Sequence, residues 1–162
     1  MVQNCRRIAS FSVDHDRIVP GVYLSRTDGD VDTYDLRTRT PNAGSYMSTR
    51  TMHSVEHLFA TFARNSKWGD RVIYFGPMGC QTGFYLLVRS MAPQEVHDLI
   101  VDTLQAIAAY DGPMFGQSRK ECGNYENLSL AEGKAECAAF YPVVAAQPID
   151  FRYPGEESGG TL

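Results

Sequence analysis

Five consecutive residues, His53-Ser54-Val55-Glu56-His57, have the types and spacing to hold a metal ion. On an α-helix, side chains four apart share a face, with Cβ atoms about 5–6 Å apart. Both imidazoles can then reach one ion at about 2.0–2.1 Å. Glu56 flanks that face and can act as a base without being a ligand. Ala60 and Arg64 continue it: alanine leaves room above the helix, and arginine offers a planar cation for a carboxylate. Two solvated surface histidines are the plainer alternative. The chain has only four histidines, however, and two of them take ligand spacing around a carboxylate. A catalytic divalent site usually has three protein ligands and one open position. Cys80, Cys122, His15 and His97 are the candidates for the third ligand, with His97 expected at the surface near the start of a helix.

The thiols need separate readings. Four cysteines, at 5, 80, 122 and 137, are too few and too scattered for the disulfide framework of a small secreted fold. Cys80 stands among Gly76, Pro77, Gly79 and Gly83, where the backbone can turn sharply and approach a ligand. A thiol there, beside a cation, can take part in proton transfer; a buried thiol packed by Phe75 and Phe84 is the alternative. Cys122, between Glu121 and Gly123-Asn124, has the polar neighbours of a ligand. Cys137 falls in an Ala-rich helix and reads as core. Cys5 lies on an N-terminal arm and has no evident role.

These residues must be carried by regular elements. Gly21 to Arg39 reads as a hairpin turning at Thr27-Asp28-Gly29-Asp30. Thr51 to Asn65 reads as a helix with Met52, Val55, Phe59 and Phe62 on its core stripe. Short strands at Arg71–Phe75 and Phe84–Val88 enclose the Cys80 loop. Pro93 opens a second helix that stops at Asp111-Gly112-Pro113. Ser129-Leu130-Ala131-Glu132 is a capping box for a third helix, expected to end before Pro142. Paired strands followed by helices predict an α+β fold, an antiparallel or mixed sheet with helices on one face. One domain spanning 1–162 is expected, with 1–9 and 154–162 as loose arms.

Composition limits the partners. The chain has 162 residues, 43% hydrophobic and 21% charged, which suits one soluble core. A net charge of -4 without a basic block argues against nucleic acid. No apolar run approaches the roughly 20 residues of a membrane span. The first residues lack an apolar signal core, so a cytoplasmic location is expected.

The motifs together resemble the S-ribosylhomocysteine lyase (LuxS) family. They are Ser10-Phe11-Ser12-Val13-Asp14-His15, Asp35-Leu36-Arg37, Pro41-Asn42, His53-Ser54-Val55-Glu56-His57-Leu58, Pro77-Met78-Gly79-Cys80-Gln81-Thr82-Gly83 and Cys122-Gly123, spread from about Ser10 to Leu130. The His-x-x-Glu-His element alone is shared with inverted zinc proteases; the Pro-Met-Gly-Cys-x-Thr-Gly run is far more specific. The resemblance implies His53, His57 and Cys122 as metal ligands, with Cys80 and Glu56 as the proton-transfer pair. It implies substrate contacts from Ser10, His15, Arg37 and Arg64. It further implies one divalent metal per subunit, iron(II) as the native ion with zinc(II) or cobalt(II) accepted, and a homodimer with its active site near the interface. The implied reaction cleaves the thioether of S-ribosylhomocysteine by carbonyl migration and β-elimination. The products are homocysteine and the autoinducer-2 precursor 4,5-dihydroxy-2,3-pentanedione, which links the methyl cycle to quorum sensing.

The chain departs from the family pattern in places. Tyr74-Phe75-Gly76 replaces the usual Asp-Ile-Ser, Leu128 replaces a histidine, and Ser54-Val55 replaces Thr-Leu. Two rival functions share the metal helix. A metalloprotease would use Glu56 to activate water, but it normally needs a longer chain and a distant acidic ligand. A structural metal module would close the site with Cys80 as fourth ligand.

Overall fold

The computed structural model of the chain describes residues 6–156. Four strands and three helices follow in the order β1 (Gly21–Asp28), β2 (Val31–Arg37), α1 (Thr49–Arg64), β3 (Val72–Pro77), β4 (Gly83–Arg89), α2 (Pro93–Ala109) and α3 (Leu130–Ala146). The sheet order is β1-β2-β4-β3, and every pairing is antiparallel. The expected α+β class is therefore observed, with the sheet antiparallel rather than mixed. Two hairpins lie side by side, so β2 and β4 are central and hold Arg37 and Gly83 in register.

Alternation along the strands separates two faces. Val22, Tyr34, Leu36, Phe75, Phe84, Leu86 and Val88 enter the main core with the helices. Phe59 of α1 stacks on Phe75 at 4.2 Å, and Phe75 stacks on Phe84 at 5.1 Å. Thr33, Asp35, Arg37, Tyr85 and Leu87 alternate with these residues and face away from the helices. On that far face Asp35 and Arg37 are buried beside a small separate cluster of Ile18, Tyr23 and Tyr153.

Helix α1 starts two residues before its expected position. Ser48 is its N-cap, and the Oγ accepts from Thr51 N at 3.0 Å, satisfying one of the orphan donors of the first turn. Helix α3 crosses α1 closely: a Cβ on Gly133 would lie 2.7 Å from Leu58 Cδ1 and 3.1 Å from Ser54 Cβ. The expected end before Pro142 is not observed, because α3 continues through Pro142 to Ala146. Pro142 is exposed, so its ring faces solvent, while buried Phe140 and Val144 on either side hold the helix onto the core.

The chain is packed up to the start of the expected C-terminal arm at 154. Phe151 and Tyr153 are buried, and Glu156 N donates to Tyr153 O at 3.1 Å in a closing turn. Cys5 and the last residues of the tail lie outside the described residues. Among the described residues, no helix is long and apolar enough to cross a membrane.

Candidate metal centre and thiol pocket

His53 and His57 lie one turn apart on α1, and loops from elsewhere fix both rings. His53 Nδ1 is 2.9 Å from Asn127 O, and His57 Nδ1 is 2.9 Å from Phe115 O. A carbonyl carries no proton, so each Nδ1–H must donate, which leaves Nε2 as the nitrogen that can face a metal. Cys122 Sγ lies 3.3 Å from His53 Nε2 and accepts from Asn124 N at 3.4 Å. One ligand atom from each of His53, His57 and Cys122 falls within 4.8 Å of the others. The rings are fixed by backbone carbonyls, as metal-ligating histidines usually are. Two imidazoles and a thiol suit a late first-row divalent ion such as iron(II), zinc or cobalt. The group can therefore hold a metal.

Several supporting residues escaped the sequence reading. Gly116 has φ of +66°, and a Cβ there would lie 2.9 Å from His57 Nδ1. Glycine at this point lets the Phe115 carbonyl come up under the ring. Ser54 Oγ donates to Arg50 O and accepts from Ser129 N at 2.8 Å, which ties the start of α3, and with it the Asn127 carbonyl, to α1. Neither role leaves a sequence signal beyond a lone glycine in a loop and a serine next to a histidine. Leu128, in place of the family's histidine, is a core side chain at 1% exposure.

Cys80 occupies a second locus. Its loop is closed by Met78 N to Gly83 O at 2.9 Å and by Gln81 N to Met78 O at 3.0 Å, with Gln81 at φ +63°. Thr38 N and Arg39 N donate to Thr82 O, and Met47 N donates to Gln81 O, so the loop is pinned beside the end of β2. Cys80 is exposed rather than packed between Phe75 and Phe84. Thr82 Oγ1 is 3.1 Å from its sulfur and Arg37 Nη1 is 3.7 Å away.

Arg37 is itself buried. Asp35 grips it through Nη2 at 2.6 Å and Nε at 3.1 Å, and its Nη1 donates to Thr82 Oγ1 at 2.7 Å. Burial lowers the Arg37 pKa, but the hydrogen bonds and charge of Asp35, with Cys80 and Tyr153, outweigh it and leave the guanidinium above its ordinary value.

Ser10, His15, Arg37, Met78, Cys80 and Tyr85 line one cavity of about 320 Å³. Ser10 stands in a short helical turn, Ala9–Phe11, and His15 Nδ1 bonds Val13 O at 3.0 Å. Ser10 and Tyr85 also border an adjoining hollow of about 340 Å³ beside Tyr74, the residue that stands where the family has aspartate.

The remaining candidates fall elsewhere. His53, Glu56, His57, Cys122 and Arg64 do not line the Cys80 cavity. Arg64 donates to the Ile73 carbonyl. His97 is not at the surface as expected: its ring is largely covered between α2 and α3, with Nε2 3.2 Å from Val144 O. Cys137 is core at 4% exposure, and burial pushes its thiol up to about 12. Cys80 does not join the metal group, so the closed four-ligand arrangement is not formed among the described residues.

Comparison with known proteins agrees with the motifs. The profile of the family described as S-ribosylhomocysteinase (LuxS) matches residues 8–147. The chain is 46% identical over 133 residues to the S-ribosylhomocysteine lyase of Finegoldia magna, covering 79% of this chain and 85% of that protein. It is 42% identical over 134 residues to that of Clostridium beijerinckii, with 79% and 84% covered. With that of Desulfotalea psychrophila it shares 41% over 144 residues, with 85% and 91% covered.

Proposed function

The chain belongs to the S-ribosylhomocysteinase (LuxS) family, and from that premise we propose that it cleaves S-ribosylhomocysteine to homocysteine and 4,5-dihydroxy-2,3-pentanedione. The observation that carries this reading is the pairing of a three-ligand group, its imidazoles aimed by backbone carbonyls, with a separate exposed thiol in a polar cavity. A protease has no use for that thiol.

The chemistry explains the parts. A thioether does not leave from an ordinary sugar carbon; the carbonyl must first move along the chain until it activates the carbon next to the leaving sulfur. Each move takes a proton from the carbon beside the carbonyl and returns one to the carbon that was the carbonyl. The final step removes a proton α to the carbonyl, breaks the carbon–sulfur bond, and the departing thiolate takes up a proton. Electrons balance without a redox cofactor.

When bound at His53, His57 and Cys122, a divalent ion, iron(II) in our reading, supplies Lewis-acid stabilisation to the oxygens that gain charge. Cys80 Sγ and the Glu56 carboxylate take up and return the carbon-bound protons, each such group contributing about 10²–10⁴-fold. Ser10, His15 and Arg37 hold the substrate in the Cys80 cavity, and Arg64 meets it from the metal-bearing helix.

One copy keeps these two halves apart. His53, His57 and Glu56 ride on α1, against the core face of the sheet, with Cys122 on the loop before α3. Arg37 and Tyr85, in the Cys80 cavity, project from the other face. Phe11 and Tyr74 add exposed apolar surface beside it, at 63% and 47% exposure. This supports a homodimer in which the partner brings the missing half to each cavity.

The decisive experiment incubates metal-loaded protein with S-ribosylhomocysteine and measures free homocysteine thiol. Release that is lost on chelation and restored by metal is expected. Casein or peptide cleavage with no thiol release would replace the lyase by the protease.

A further inference from the structure

The Asp35–Arg37–Cys80 cluster is completed by residues beyond the family match, which stops at residue 147. From Gln147 onward the chain is tied to the edge strand β1. Val22 N donates to Gln147 Oε1 at 2.7 Å, and Gln147 Nε2 donates to Val22 O at 2.6 Å. Leu24 N donates to Phe151 O at 2.7 Å.

In an extended chain, residues two apart share a face. Phe151 has φ of +50°, and this left-handed backbone breaks the alternation. Its ring therefore meets Tyr34 edge-on at 5.3 Å on the core side. Tyr153 ends on the opposite side, stacked on Tyr23 with ring centroids 4.7 Å apart and itself 5% exposed.

There the Tyr153 hydroxyl donates to Asp35 Oδ2 at 2.9 Å, in a buried contact. The same carboxylate holds the Arg37 fork with both oxygens, leaving Nη1 as the nitrogen that reaches Thr82 and Cys80. We propose that Tyr153 is a positioning residue for Cys80: its hydroxyl fixes the Asp35 carboxylate, and through it the orientation of Arg37 toward the thiol.

The proposal rests on the reading of Cys80 as a proton-transfer group. Burial, then the charge of Asp35, holds the Tyr153 phenol far above its ordinary range, so it stays a donor. Among the described residues, Tyr23, Tyr85 and His15 also face this cluster, with Arg26 beyond Tyr85.

Tyr153→Phe removes one oxygen and keeps the ring stack. The metal-loaded protein is read by peptide-resolved alkylation of Cys80 across pH, with kcat and KM for S-ribosylhomocysteine beside it. The midpoint of Cys80 alkylation is expected to move by at least about half a pH unit. A fall in kcat of about tenfold is expected as well, with KM within about twofold and metal content unchanged. An alkylation profile and kcat that match the parent overturn the proposal, whatever the melting temperature does. If Tyr153→Phe does not fold, a ring-fluorinated tyrosine at 153 keeps the shape and alters only the donor; a shifted Cys80 profile supports the proposal and an unshifted one sinks it. Alkylation reads the thiol without turnover, so it separates this claim from the reading of Cys80 as a proton-transfer group, which fails instead if Cys80→Ala keeps normal turnover.

Discussion

At the scale of single residues, each thiol does what its surroundings permit. Cys122 sits against His53 Nε2 with a peptide N–H on its sulfur, whereas Cys80 is exposed beside Arg37 and Thr82. Cys122→Ala is therefore expected to purify without metal. Cys80→Ala and Glu56→Gln should keep full metal occupancy and lose turnover by at least about 10²-fold. Elemental analysis beside the thiol-release assay separates the two classes. Gly116 offers a sharper test, because it is neither a proposed ligand nor a proposed substrate contact. A methyl group there meets His57 Nδ1 in a backbone conformation that alanine resists. Gly116→Ala should weaken metal binding by about 10–100-fold, the usual effect of disturbing a ligand's supporting contact, measured by competition with a chromophoric chelator.

At the scale of elements, α3 is the informative case. Proline within a helix removes one hydrogen bond and crowds the preceding turn, at a cost of about 3 kcal/mol. Pro142 is nevertheless followed by four more helical residues. Anchoring by Phe140 and Val144 offsets that cost, and it leaves the Ala138 carbonyl without its usual i+4 donor. Pro142→Ala should restore that bond. Proline also stiffens the unfolded chain, which returns up to about 1 kcal/mol, so a net gain of about 2 kcal/mol is expected. Urea denaturation should show a higher midpoint at an unchanged slope.

At the scale of the whole molecule, the proposed homodimer, with the two halves of each site drawn from different copies, is open to a complementation test. Cys80→Ala and Cys122→Ala homodimers are each expected to be inactive. Mixed dimers would combine both lesions in one site and leave the other intact, so a randomised equal mixture should recover about a quarter of wild-type activity. No recovery after verified subunit exchange would show that each copy works alone. The packed core also sets the alkaline limit of stability. Burial raises Cys137 from 9.0 and Tyr34 from 10.0, each to about 12. The unfolded chain therefore loses these protons first as pH rises. Their contribution to stability is full below about pH 9 and is lost between about pH 9 and 12. Urea melts across that range should show the decline, with a shallower slope in Cys137→Ala.

Much of this was legible in the chain itself. The pattern of His53, Glu56 and His57 on a helix, the Gly-rich setting of Cys80 and the alternation of β2 depend only on spacing and local conformation. Local chemistry decides those, so the metal helix, the thiol loop and the α+β class could be read directly. What tertiary structure alone decided involves contacts between distant segments. The carbonyls of Phe115 and Asn127 aim the imidazoles from 58 and 74 residues away. Asp35 is bound by Tyr153 from 118 residues away. Helix α3 outlasts its proline, and His97 is covered, because of what packs against them. A backbone carbonyl has no residue identity, and a buried neighbour leaves no mark in local sequence. Such contacts exist only once the core has closed around the sheet.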